Sequence, residues 1–221
     1  MAQHIKLFES WLSDIAQGLQ KALTGTGSGA VEAGEDSAEF KTEFEREITD
    51  LSDTTTQKTI APMKDDKYFV VHHTAGRGTA KDVVNILNDR GLGVQWVIDR
   101  QGEVFKTFPE GMTAWHAGHE DQREAPRDLQ NNTAQGVEVI ASNDADVLPV
   151  QVLAAFKLLK YLGYGKDEVW GHGEVTYNKE TTEGATITNF WREHSDKSPE
   201  EAAKLLDLGT ELSGQFNNFR A

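Results

Sequence analysis

At 221 residues the chain is long enough for one domain with a full hydrophobic core and some appended structure. It has no cysteine, which excludes disulfides and every thiolate metal site, so any zinc must be held by histidine and carboxylate. Its 36 acidic and 22 basic residues leave a formal charge of −14, which repels phosphate backbones and argues against nucleic acid as a partner.

Ile5, Leu7, Phe8, Trp11, Leu12, Ile15, Leu19 and Leu23 recur at helical spacing, predicting an amphipathic helix over 1–23 that docks on the domain or on a protein partner. Residues 24–37, rich in glycine, serine and acid, have linker composition. The stretch 38–51 reads as helix again, with Phe40, Phe44 and Ile48 four apart, and 53–60 is polar. Residues 24–60 are therefore expected to be linker and helical extension ahead of a domain over 61–196.

From residue 68 strands and helices alternate. A strand is predicted over 68–73, a helix over 80–90 ending at Gly91, and a hairpin of strands 94–99 and 104–107 joined at Arg100-Gln101-Gly102. A further strand spans 135–140, a helix 150–162 buries Val152, Leu153, Phe156, Leu159 and Leu162, and Val169-Trp170 leads into His172. The pattern is α/β: a mixed central sheet flanked by helices, with an N-terminal helical extension and a C-terminal helix over 197–221, broken at Gly209 and Gly214. No run of about 18 apolar residues is present, nor a basic segment followed by an apolar one and a cleavage site at the start. A soluble chain without a Sec signal or integral membrane segment is expected.

Two segments stand out for chemistry, Val70-Val71-His72-His73-Thr74-Ala75 and Gly171-His172-Gly173-Glu174-Val175. Each places histidine at a strand end, the way a hydrolytic zinc site is assembled from separate strands of one domain. Neighbouring strand residues face opposite ways, so only one of His72 and His73 can point at a metal.

Both segments fall within a longer ordered set: 68–75, Trp96-Val97-Ile98-Asp99-Arg100-Gln101-Gly102-Glu103-Val104, Ala114-Trp115-His116-Ala117-Gly118, Asn132-Thr133-Ala134-Gln135-Gly136-Val137-Glu138-Val139, and 171–175. In this order they resemble the zinc-dependent N-acetylmuramoyl-L-alanine amidases of the peptidoglycan-recognition and phage lysozyme-like superfamily, over about residues 66–194. The resemblance implies a Zn2+ enzyme that cuts the amide between N-acetylmuramic acid and L-alanine in peptidoglycan or muropeptides with a zinc-activated water.

It also implies roles for single residues. His72 and His172 carry over as zinc ligands. The third ligand departs from the pattern: relatives have cysteine or aspartate before Pro-Gly, whereas 177–185 offers Glu183 followed by Gly184, with Glu180 as the alternative. Glu138 matches the catalytic glutamate of the cytoplasmic muropeptide amidases and is the expected general base, facing away from Val137 and Val139. The tyrosine that other branches use has no counterpart near Val94. Lys179 and Thr181, four and two positions before Glu183, are candidates to hold the oxyanion; Lys179 has the charge and Thr181 the register. Trp115 and His116 resemble substrate-groove residues, and Asn132 reads as a turn residue.

Two other roles fit the same residues. One is a recognition module that binds peptidoglycan without cutting it. The other is a phage endolysin or virion-associated lysin, since the start of the chain, His4 to Leu12, resembles short leaders of tailed-phage virion proteins and is equally an amphipathic helix. The expected location is the host cytoplasm with delivery to the wall, or the virion.

Overall fold

The segment Tyr68-Phe69-Val70-Val71-His72-His73 is aromatic and β-branched with no polar side chain until its end, the composition of a strand covered on both faces. In the computed structural model, which describes residues 35–56, 61–117 and 123–208, it is an inner strand of one six-stranded sheet. The strands are β1 (Thr49–Asp50), β2 (Tyr68–His73), β3 (Trp96–Ile98), β4 (Val104–Lys106), β5 (Ala134–Val139) and β6 (Val169–Gly171), in spatial order β1-β4-β3-β5-β2-β6. Only the β3–β4 hairpin is antiparallel; the other pairs are parallel, so the sheet is mixed.

Six helices are found among the described residues: α1 (Glu35–Glu47), α2 (Ala80–Asp89), α3 (Pro149–Leu162), α4 (His172–Val175), α5 (Ala185–His194) and α6 (Pro199–Leu205). Their ends follow local chemistry. Thr79 and Asp82 close a capping box at the start of α2. Proline opens α3, and Gly163, at φ 86°, ends it in the left-handed conformation.

Side-chain alternation divides the core. Phe69 and Val71 of β2 and Val137 and Val139 of β5 turn toward α3 and α5, packing with Phe156, Leu159, Ile187 and Trp191. Tyr68 and Val70 turn the other way and join Ala117, Leu129, Ala134 and Val175, while Val97 and Ile140 pack with α2 through Ala80 and Val83. The register pairs His72 with Glu138. Both therefore stand side by side on this second face, at the C-terminal ends of adjacent parallel strands.

The chain divides into two units, residues 1–38 and 39–221. Of the first, only the opening turn of α1 is described; the helix expected over 5–23 and the linker after it lie outside the described residues. The second unit begins well ahead of residue 61, where the sequence pattern put the domain. Phe44, 2 % exposed, lies in the main core with its ring 5.5 Å from Tyr161 of α3, and Lys157 pairs with Glu47 at 2.6 Å. Thr49–Asp50, predicted to continue the helix, instead pairs with β4 as the outer strand. The four-residue spacing of Phe40, Phe44 and Ile48 is the apolar stripe that docks on the core, so these residues belong to the domain rather than to an extension. Phe44→Ala should lower the unfolding free energy by about 3 kcal/mol in urea titration. A loss under about 1 kcal/mol would mean that α1 rests only loosely on the sheet.

Toward the C-terminus, α5 was not predicted, and α6 buries Ala202 completely. The remainder of the expected C-terminal helix, from residue 209, lies outside the described residues. No helix among the described residues is long and apolar enough to cross a membrane.

Candidate active site

His72 is the penultimate residue of β2, and His172 opens α4 directly after β6; both are buried. Since β6 lies beside β2 in the sheet, the two imidazoles meet, with ring centroids 4.1 Å apart. Glu183, 4 % exposed, completes the group from the loop between α4 and α5. Its Oε1 lies 3.0 Å from His172 Nδ1 and 3.7 Å from His72 Nδ1. Lys179 Nζ donates to the same oxygen at 3.2 Å from a half-exposed position at the rim.

The glycines explain how a loop comes so close. A Cβ on Gly173 would lie 2.2 Å from the Glu180 carbonyl oxygen, and one on Gly171 would lie 2.7 Å from that of Glu183. Gly184, at φ 86°, passes so near β2 that a Cβ would stand 2.4 Å from Val71 O. The Gly173 amide donates to Glu183 O at 3.0 Å. Arg123 holds the other side, donating to Gly173 O at 2.8 Å and Lys179 O at 3.3 Å while its guanidinium lies 5.0 Å from the Tyr177 ring centroid. Glu174 accepts from the Gly171 amide at 2.8 Å and from Arg192 at 2.7 and 3.0 Å, which ties α4 to α5.

The other residues singled out in the sequence fall as follows. Glu180 is exposed and outside the group, contributing its carbonyl to Glu183 N at 3.0 Å. Thr181 is exposed on the loop. His73 follows the opposite side of β2, and both of its ring nitrogens are buried without a hydrogen-bond partner. Asn132 sits in the turn before β5, its carbonyl accepting from Lys64 and Asp65. Trp115 is 45 % exposed.

His116, half-buried, lays its ring over Gly136, where a Cβ would come within 2.6 Å of it. Nδ1 is 3.1 Å from His72 Nε2, and Nε2 is 3.1 Å from Ala134 O. Asn131 secures this loop, its Oδ1 accepting from the amides of His116 and Ala117, both at 2.8 Å. Neither the Asn131 anchor nor the Arg123 tether was anticipated. The one trace in the sequence is Gly136, a strand residue without a side chain where a bulky neighbour lies across it.

Burial sets the electrostatics. It is the main reason that His72 is held well below the usual histidine range and His116 is pushed down to about 4, so both rings are neutral at pH 7. Burial raises Glu183, but the hydrogen bond with His172 and the closeness of the His72 ring outweigh it and keep the carboxylate ionised. Glu138 goes the other way: burial, then repulsion from Glu183, pushes it up to about 7, against the pull of Lys179 and Arg90. Its Oε2 is buried with no hydrogen-bond partner.

The group suits zinc. One ligand atom from each of His72, His172 and Glu183 lies within 4.8 Å of the others. Ligand atoms about 2.0–2.2 Å from a tetrahedral zinc stand about 3.3–3.6 Å from one another. The observed 3.0 and 3.7 Å bracket that range, and two imidazoles with one carboxylate are donors zinc takes.

Several solved structures are similar to the chain. The N-acetylmuramoyl-L-alanine amidase LysC from Clostridium intestinale URNW is 20% identical, with 59% of this chain and 85% of that one covered and a TM-score of 0.48. A mutant endolysin from Bacillus subtilis is 17% identical over 64% of this chain and 96% of that one, with a TM-score of 0.47. A mutant of Drosophila PGRP-LB in complex with tracheal cytotoxin is 18% identical over 64% and 92%, with a TM-score of 0.48. No curated protein sequence matches the chain. The family model Amidase_2, described as N-acetylmuramoyl-L-alanine amidase, matches residues 62–201, a span that runs from before β2 into α6. On that match, which takes in well over half of its length, the chain belongs to the N-acetylmuramoyl-L-alanine amidase family.

Proposed function

We propose that the chain hydrolyses the amide between the lactyl group of N-acetylmuramic acid and L-alanine, in peptidoglycan or its fragments, with zinc held by His72, His172 and Glu183. The observation that carries this reading is Glu138: a half-buried residue whose Oε2 is buried without a hydrogen-bond partner, one strand from His72 and close enough to feel the charges of Glu183 and Lys179. A module that only bound peptidoglycan would have no use for such a group, because a buried carboxyl oxygen left without a partner is costly.

Zinc, when bound, supplies Lewis acidity, lowering the pKa of a water and drawing charge from the carbonyl. Glu138 takes the proton from that water and later delivers it to the departing amine of alanine. A pKa near 7 suits both transfers. Lys179, fixed at the rim by Glu183, meets the negative charge that develops on the carbonyl oxygen. Thr181 is the neutral alternative. The exposed indole of Trp115 offers a flat apolar face to a sugar ring or stem peptide.

Digestion of purified peptidoglycan, with mass spectrometry of the products, tests the cleaved bond. The wild type should release free L-alanine amino termini, and Glu138→Ala should release none. New reducing sugar ends, or no new termini from the wild type, would overturn the reading.

A further inference from the structure

We propose that His116 is a positioning residue that fixes the tautomer of His72, leaving Nδ1 of His72 unprotonated and directed at the metal. The inference rests on the zinc reading above. It follows from two contacts taken in order. A carbonyl oxygen only accepts, so the 3.1 Å contact with Ala134 O places the single proton of a neutral His116 on Nε2. His116 Nδ1 is then an acceptor, and the 3.1 Å contact with His72 requires His72 Nε2 to donate. The lone pair of His72 is left on Nδ1, the atom that lies 3.7 Å from Glu183 Oε1.

An outer partner on a ligating histidine commonly sets its tautomer, and is usually a carboxylate, a carbonyl or a water. Here the carbonyl acts through an intervening imidazole. The surroundings are built to keep that ring in place: Asn131 pins the His116 backbone, and Gly136 leaves the space that the ring occupies. A carboxylate in the same place would add a third negative charge beside Glu138 and Glu183. A neutral ring orients His72 without adding one.

The test combines two readouts, neither of them catalytic. Long-range nitrogen–proton NMR of the metal-free wild type at pH 7 should show both His72 and His116 protonated on Nε2. Zinc affinity, measured by chelator competition, should weaken about 10- to 100-fold in His116→Ala. His116→Gln should recover most of it, because the amide oxygen can accept from His72 while the amide nitrogen donates to Ala134 O. Gly136→Ala, which displaces the ring without removing it, should resemble His116→Ala. A His72 protonated on Nδ1, or a His116→Ala variant that binds zinc as tightly as wild type, overturns the proposal and leaves the zinc reading standing. A wild type with the Nε2 tautomer that binds no zinc supports the tautomer lock and overturns the zinc reading instead.

Discussion

Glu183→Ala should reduce zinc bound after dialysis to background and weaken affinity by at least about 100-fold, because even outer-shell partners of a metal account for 10- to 100-fold. Amidase activity should vanish with the metal. Glu183 is the only carboxylate that closes the group formed by His72 and His172 among the described residues. Without it two imidazoles remain, too few donors for a stable tetrahedral site. The comparison with Glu180→Ala is decisive, since Glu180 lies three positions away on the same loop but is exposed. That variant should retain both metal and activity. Glu183→Gln separates charge from shape: the amide oxygen can still accept from Lys179, yet zinc should be lost nearly as completely. If metal content followed Glu180 instead, or stayed at wild-type level in Glu183→Ala, the proposed ligand set would be wrong.

Glu138→Gln should leave zinc content unchanged and lower kcat by about 100- to 10,000-fold, the usual contribution of a positioned acid–base group. The same substitution should stabilise the metal-free protein. Folding raises the Glu138 pKa from 4.5 to about 7, so the native state binds this proton more tightly than the unfolded chain does. The contribution of this group to stability is therefore highest below pH 4.5, falls as pH rises toward 7, and stays low above, by an amount on the order of 3 kcal/mol. Glutamine carries no such burden. Thermal melts of the metal-free proteins should diverge between pH 5 and pH 8, with the wild type declining relative to the variant. Parallel curves would show that Glu138 ionises without strain, and would remove the argument that its burial serves catalysis.

Much of this arrangement was legible in the sequence because strands dominate it. Period-two alternation was enough to set Glu138 apart from Val137 and Val139 and to separate His72 from His73, and the structure has these faces. The ends of β2 and β6 were visible as apolar runs stopping at histidine. What was not legible depends on contacts distant in sequence. The two residues of β1 are too few for any period, and they become a strand only because β4 offers a free edge. The placement of the His116 ring is decided by Asn131, fifteen positions away, and by the missing side chain of Gly136. α5 did carry a pattern, with Ile187, Phe190 and Trp191 at helical spacing, but ten residues make a weak signal. The docking of α1 was masked by the polar stretch after it, which has the composition of a linker although the chain on both sides belongs to the sheet.

The loop that brings Glu183 to the histidines is seated by its main chain, through Gly171, Gly173 and Gly184, and not by the side chain at position 183. Ligand identity is thereby uncoupled from ligand placement. An aspartate on the same seat would draw the carboxylate back by one methylene, and a cysteine would offer a soft thiolate from the same direction. If the site holds the proposed zinc, its metal preference would turn on one side chain carried by a backbone seat, which a single codon can retune from hard donor to soft.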